Sequence, residues 1–224
     1  MTLSRAALVR IVPFAVFMLL LAARGLMPAG GAWGIDERWI YAVTVAAVGG
    51  LLWVWRREYG ELVAQTWPTP RETAWAVGVG VAVFALWTRL DAPWMQIGSA
   101  TAGFVPLDDQ GAPIWPLIVV RWIGAALMVP VMEELFWRSF LMRWIQDARF
   151  EAVPPQQTGL RAIVLSTFVF VLAHTLWLAA VIAGLAYAWL YIRSGKLWTA
   201  VIAHAVTNGL LGIWVVATGR WEFW

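Results

Sequence analysis

The feature that most constrains this chain is a series of separate apolar runs, each near the length of a bilayer crossing. About 20 apolar residues of helix span roughly 30 Å of hydrocarbon. Such runs occupy Leu8 to Met27, Trp39 to Trp55, Trp75 to Leu90, Ile114 to Met142, Leu160 to Leu176, Trp177 to Ile192 and Leu197 to Ala217. Backbone N–H and C=O groups in lipid must be satisfied within the protein, which a helix does along its own length. Only 13% of the residues are charged, against roughly 25% in soluble domains, so a water-soluble core is excluded. The expected fold is all-α, a polytopic transmembrane helical bundle of about seven spans and eight at most. It forms one integral membrane domain over residues 1–224, with the candidate catalytic core at about 114–217. The fifth and sixth runs nearly fuse, so the turn between them must be very tight.

Arg5 and Arg10 precede the first run as charges precede a signal peptide core. That run exceeds the roughly 7 to 15 apolar residues of such a core, and it is read as a retained helix. Alternating the spans from a cytoplasmic N-terminus gathers Arg5, Arg10, Arg56, Arg57, Arg71, Arg143, Arg149, Arg161, Arg193 and Lys196 on one side. The other side keeps Arg24, Arg38, Arg89 and Arg220, and its loop from Asp91 to Pro113 has Asp108 and Asp109 but no Lys or Arg. The positive-inside rule therefore favours the N-terminus in the cytoplasm and the C-terminus outside.

The Lys and Arg residues sit singly or in pairs and build no basic stripe, so nucleic acid is not an expected partner. The absence of Cys excludes disulfides, thiol nucleophiles and thiolate metal sites. Trp39, Trp53, Trp55, Trp75, Trp115, Trp144 and Trp198 fall near span ends and read as an aromatic belt. Gly78, Gly80, Gly124 and Gly184 suit close helix packing. Val153 to Gly159 reads as a plain cytoplasmic loop.

Charge at membrane depth costs about 2.5 to 3.5 kcal/mol per residue on insertion scales, which makes an intramembrane ionisable group a functional candidate. In the fourth run, Val131-Met132-Glu133-Glu134-Leu135-Phe136-Trp137-Arg138 holds two carboxylates and a guanidinium. Glu134 and Arg138 stand at i and i+4 and form a charge-assisted pair of structural kind. Glu133 is turned about 100° from Glu134 and is left without a partner on its own helix. The chain's two histidines also fall in predicted spans. Phe170 and His174 are four apart, as are His204 and Asn208, so each pair shares a helix face. Taken singly, each His reads as a packing residue, and His204 with Asn208 as an interhelical hydrogen-bond pair. Taken together, the groups lie roughly 10 to 20 Å into the membrane, counting 1.5 Å per helical residue.

Peptide hydrolysis requires a base for water, donors for an oxyanion and a proton for the leaving amine. Glu133 hydrogen-bonded to His174 suits the first task, and His204 with the Asn208 amide suits the second. The chain has no His-Glu-x-x-His helix and no Gly-x-Ser-x-Gly elbow. No cofactor is expected. A divalent metal such as zinc, held by Glu133, His174 and His204, is the minority alternative. A non-enzymatic protein that binds peptides in the same polar cavity, as an immunity factor would, is the alternative from another class. A proton carrier is a third, although repeated halves and broken helix pairs are not evident.

At these residues the sequence resembles the CPBP family of glutamic intramembrane proteases, also called Abi, which includes the type II CAAX prenyl endopeptidases. The family pattern Glu-Glu-x-x-x-Arg, Phe-x-x-x-His, His-x-x-x-Asn is met by Glu133-Glu134 with Arg138, Phe170 with His174, and His204 with Asn208. The resemblance covers about Met128 to Leu210. It implies an endopeptidase in which Glu133 and His174 activate water, His204 and Asn208 form the oxyanion hole, and Glu134, Arg138 and Phe170 support the site. The partners it implies are the lipid bilayer, a membrane-associated peptide or protein C-terminal tail, and a protein-sorting system of the exosortase kind. The location it implies is a prokaryotic inner membrane.

Overall fold

The computed structural model describes residues 3–28, 31, 34, 36–98 and 104–224, so residues 99–103 of the expected outer loop lie outside the described residues. Seven helices form among them, and no strand. Helix α1 runs Arg5–Gly25 and starts at Ser4, whose side chain accepts from the Ala7 N–H. Helix α2, Ile40–Val54, is entered through the 3₁₀ turn Glu37–Trp39. Helix α3, Pro70–Trp87, begins in a reciprocal capping box between Thr69 and Glu72 with proline at its first position. Helix α4 is a continuous 32 residues, Trp115–Gln146. Helices α5, α6 and α7 are Leu160–Leu172, Trp177–Ser194 and Leu197–Thr218. Gly195 and Gly219, at φ +71° and +69°, close α6 and α7 in the left-handed conformation that other residues resist.

Each expected run thus contains one helix, and the chain is an integral membrane protein. Five helices, α1, α2, α4, α6 and α7, are long and apolar enough to cross a bilayer unaided. Helix α3 carries Arg71 and Glu72 in its first turn, which shortens its apolar part. Helix α5 has 13 residues and stops at Leu172, four short of the expected end. At 1.5 Å per residue it rises about 20 Å, less than the hydrocarbon core. The missing length is made up by protein. The segment after α3 covers the α5–α6 turn, with the Ile97 N–H donating to the Thr175 carbonyl at 2.8 Å and the Trp177 indole to the Trp94 carbonyl at 3.0 Å. Irregular backbone at this depth is tolerated where protein meets it, as these two bonds do.

Helix α4 is central, packing on α1, α2, α5 and α7, while α3 lies along α7 and α6. Close approach explains three of the four glycines singled out. A Cβ on Gly80 would meet the Ala203 carbonyl at 2.5 Å, on Gly124 the Val45 side chain at 2.5 Å, and on Gly184 Thr167 at 2.9 Å. Gly78 meets nothing, because two residues along a helix turn it to the opposite side from Gly80. Leu19, Val43, Leu127, Phe168 and Ile213 point outward, as lipid-facing residues do. Val153 and Thr158 are buried, so the segment expected as a plain loop is partly packed.

The two ends of the bundle are tied differently. At the end holding the N-terminus, Glu61 accepts from Arg10 at 2.7 and 3.0 Å and from the Ser139 hydroxyl, joining α1, the α2–α3 connection and α4. Lys196 reaches Glu72 at 2.8 Å, joining the starts of α7 and α3. At the opposite end Arg220 binds Asp91 and Glu222, each at 2.8 Å.

Candidate active site

The four residues expected to do chemistry line one cavity of about 210 Å³, in company with Phe170, Arg121 and Tyr41. A larger groove of about 440 Å³ between α3 and α6 contains no histidine, and its one carboxylate, Glu72, is paired with Lys196. The polar chemistry is in the smaller space.

Glu134 is fully buried and its Oε1 accepts from the Arg138 guanidinium at 3.0 Å and from His204 Nδ1 at 2.8 Å. The i, i+4 pair is present as expected, and His204 on α7 completes it. The Arg138 Nη2 donates further to the Gly184 carbonyl of α6 at 3.3 Å, and the guanidinium lies 4.6 Å from the Phe170 ring centre. Glu134 and Arg138 therefore lock α4, α6 and α7 together around the cavity. Phe170 supplies its apolar wall, between Arg138 and His174.

Glu133, one residue earlier, is rotated into the cavity. The expectation that it has no partner on its own helix is corrected. The Trp137 indole N–H, four residues on, donates to its Oε2 at 3.2 Å. That spacing was legible, but tryptophan in a span reads first as a belt or packing residue. Trp137 is 3% exposed and turned inward.

His174 differs from expectation in its setting. It lies not in a helix but in the turn after α5, with its Nδ1 at 2.8 Å from the Phe170 carbonyl. A carbonyl oxygen only accepts, so Nδ1 carries the hydrogen and the neutral ring keeps its lone pair on Nε2. Hydrogen bonding to Glu133, the expected partner, is not made; the two residues share the cavity wall. The ring stays turned back on Phe170, four residues earlier, at 4.3 Å between ring centres.

Asn208 Nδ2 donates to the Ala125 carbonyl of α4 at 2.9 Å. Around Gly124–Met128 the helix widens to a π turn, and the Val129 N–H goes to the Gly124 carbonyl. In that i→i+5 pattern the donor for Ala125 would be residue 130, which is proline and has no N–H. Asn208 fills the vacancy with one amide hydrogen and keeps the other. His204 and Asn208 thus share a face of α7, as their spacing requires, and both reach across to α4.

Among the described residues no group of three or more His, Asp or Glu side chains gathers closely enough to hold a metal ion. Glu133, His174 and His204 line one cavity without converging on a point.

Residues 114–210 match the family model described as Rce1-like, type II CAAX prenyl endopeptidase Rce1-like. Over this segment, less than half of the chain, the sequence is similar to the Rce1-like family. The match includes Glu133, Glu134, Arg138, Phe170, His174, His204 and Asn208 and agrees with the CPBP resemblance read from the three motifs. The family so described is one of CAAX-type membrane proteases. Helices α1, α2 and α3 lie outside the matched residues. No curated protein and no solved structure matches the chain.

Proposed function

We propose that this protein is a glutamic-type intramembrane endopeptidase that hydrolyses a peptide bond in a membrane-associated peptide or C-terminal tail. The observation that carries the reading is the meeting of Glu133, His174, His204 and Asn208, from α4, the α5–α6 turn and α7, in one cavity. In this reading a water lies between the Glu133 carboxylate and His174 Nε2 and loses its proton to one of them as its oxygen attacks the peptide carbonyl carbon. The second amide hydrogen of Asn208 donates to the oxyanion that forms. His204 gives its Nδ1 hydrogen to Glu134, which leaves its Nε2 as the ring atom available to the oxyanion, a donor when it carries a hydrogen. Collapse of the tetrahedral intermediate breaks the C–N bond, and the abstracted proton passes to the leaving amine. The products are a carboxylate and an amine.

The reaction so written uses only side chains of the chain and predicts activity that survives chelation. The substrate is delivered within the membrane, here proposed to be a prokaryotic inner membrane, with a C-terminal sorting system of the exosortase kind as one supplier. The test is cleavage of a native substrate by purified protein in liposomes. Glu133→Ala and His174→Ala are each expected to lose at least about a hundredfold in rate, the scale of general acid–base catalysis, with unchanged folding. Normal cutting by Glu133→Ala would refute the assignment. A second reading, a peptide-binding protein without turnover, draws on the fact that His204 and Asn208 are already engaged in interhelical bonds. It predicts that the cellular phenotype survives Glu133→Ala.

A further inference from the structure

The groove of about 440 Å³ between α3 and α6 takes no part in the proposed reaction, yet it concentrates charge. Arg71, in the first turn of α3, and Arg193, in the last turn of α6, both line it. Elsewhere at this end of the bundle Arg5 binds Glu58, Arg10 binds Glu61 and Lys196 binds Glu72. Arg71 and Arg193 meet no carboxylate among the described residues. An unpaired arginine on a surface is ordinary, and Arg57 and Arg161 at the same end are two more. Two that line one groove from neighbouring helices are a different matter, because like charges held together repel and draw in an anion. The groove does not supply that anion itself. Its one carboxylate, Glu72, is already committed to Lys196 at 2.8 Å and to the Thr69 N–H at 2.7 Å.

Toward the middle of the bundle the groove changes character. Trp75 and Trp189, both exposed, meet edge to face with 6.4 Å between ring centres. On α3, Arg71, Trp75, Gly78 and Ala82 recur at i, i+4, i+7 and i+11 and so share a face; on α6, Leu185, Trp189 and Arg193 do the same at i, i+4 and i+8. The start of α3 lies by the end of α6, so both exposed stripes read in one order from the end of the bundle: cation, tryptophan, apolar. A Cβ on Gly78 meets nothing within 4 Å, which leaves a gap in the α3 stripe beyond Trp75. That is the order of a phospholipid, with its phosphate outermost, an interfacial layer where tryptophan sits, and then hydrocarbon. The guanidinium fork matches phosphate oxygens in paired hydrogen bonds. We propose that α3 and α6 bind one anionic phospholipid, its phosphate held by Arg71 and Arg193 and an acyl chain lying over Gly78. A free phosphate has no use for the tryptophans or the gap. The proposal does not rest on the protease reading, although the lipid would brace a helix that touches the candidate site. On its other side α3 meets α7, where the Gly80 carbonyl accepts from the Thr207 hydroxyl at 2.9 Å, one residue from Asn208.

The experiment titrates the full chain, in dodecyl maltoside micelles, with dioleoyl phosphatidylglycerol or dioleoyl phosphatidylcholine and counts bound lipids by native mass spectrometry. The first phosphatidylglycerol is expected to bind about tenfold tighter than phosphatidylcholine, the scale of two cations acting on a charged headgroup. Arg71→Gln with Arg193→Gln should bring the two lipids to within about twofold of each other. Arg57→Gln with Arg161→Gln removes two cations outside the groove and should leave the preference in place. Gly78→Leu fills open space and should weaken phosphatidylglycerol about fivefold with both arginines present, by displacing apolar contact. Equal affinity of the wild-type chain for the two lipids overturns the proposal, and that comparison needs no variant, so a variant that misfolds does not spare it. Loss of the preference to the same degree in the Arg57 and Arg161 double variant assigns it to diffuse charge and overturns it too. Displacement of phosphatidylglycerol by millimolar inorganic phosphate makes the groove a site for a soluble anion, and a Gly78→Leu protein that binds as wild type does takes the acyl chain out of it. Either result is equally fatal.

Discussion

Adjacent carboxylates in one helix are chemically identical, yet Glu133 and Glu134 have different work because one residue of helix rotates them about 100° apart. Glu134 is buried against Arg138 and His204, and Glu133 faces the cavity with the Trp137 indole as its one bonded partner among the described residues. Their truncations should separate accordingly. Glu134→Ala strands the Arg138 guanidinium, 3% exposed, without its anion, and removing one partner of a buried pair costs about 3 to 5 kcal/mol. Glu133→Gln keeps the shape and the Trp137 contact and should unfold within about 1 kcal/mol of wild type while losing cleavage. Unfolding by denaturant in mixed micelles, run beside the cleavage assay, reads both. Equal stability losses for the two variants would mean that the division of labour is wrong. This division was legible from helical phase alone. The place of His204 beside Glu134 was not, since nothing in a sequence says which carboxylate of a pair a distant helix will meet.

At the scale of elements, hydropathy marked where the helices run but not where α5 ends. Ala173, Thr175 and Leu176 carry no charge and no proline, so the apolar run continues through residues that the chain uses as a turn. The π turn at Gly124–Met128 was equally hidden, although Pro130, which has no N–H to give there, was in plain view. Only the route of the Val129 N–H to Gly124 reveals that the Ala125 carbonyl is orphaned and that Asn208 satisfies it. Asn208 therefore has a structural duty besides the proposed oxyanion role, and a double variant divides the two. Asn208→Ala should lose about 1 kcal/mol, the low end of the cost of an unsatisfied carbonyl because this bond is half-buried, together with activity. Adding Pro130→Ala restores a backbone N–H to that stretch and should return part of the stability but none of the activity. Recovery of cleavage in the double variant would show that Asn208 serves only to hold α4.

Over the whole molecule, the cavity and the Glu61 clamp sit toward opposite ends of the bundle. Glu61 holds α1, the α2–α3 connection and α4 together through Arg10 and Ser139. Burial would raise its carboxyl, but hydrogen bonds from Arg10, the Arg10 charge and Ser139 hold it below the ordinary carboxylate range. A carboxyl lowered by folding contributes fully above its unfolded value of about 4.3 and loses that contribution as pH falls through the lower folded value. Wild-type protein should therefore hold steady stability down to about pH 5 and lose it below about pH 4. Glu61→Gln should be less stable at pH 7 by about 3 kcal/mol, since Arg10 keeps neutral partners only, and should lack that acid loss. A profile unchanged by the substitution would deny the clamp.

The direction in which the cavity opens follows from the same geometry. Tyr41 near the start of α2, Trp87 at the end of α3, and Phe223 and Trp224 beyond α7 line it. These belong to the end opposite Arg10, Glu61 and Arg143. If the positively charged end is cytoplasmic, the proposed site faces outward, and substrates reach it from the outer side. The absence of cysteine makes this testable without background. Single cysteines at Gln110 and Gln157, both exposed and on opposite ends, should react differently with a membrane-impermeant maleimide applied to intact cells. Gln110→Cys should label directly and Gln157→Cys only after the membrane is permeabilised. The reverse pattern would turn the molecule over and place the cavity mouth on the cytoplasmic side, leaving the geometry of Glu133, His174 and Asn208 intact but changing which pool of peptides they meet.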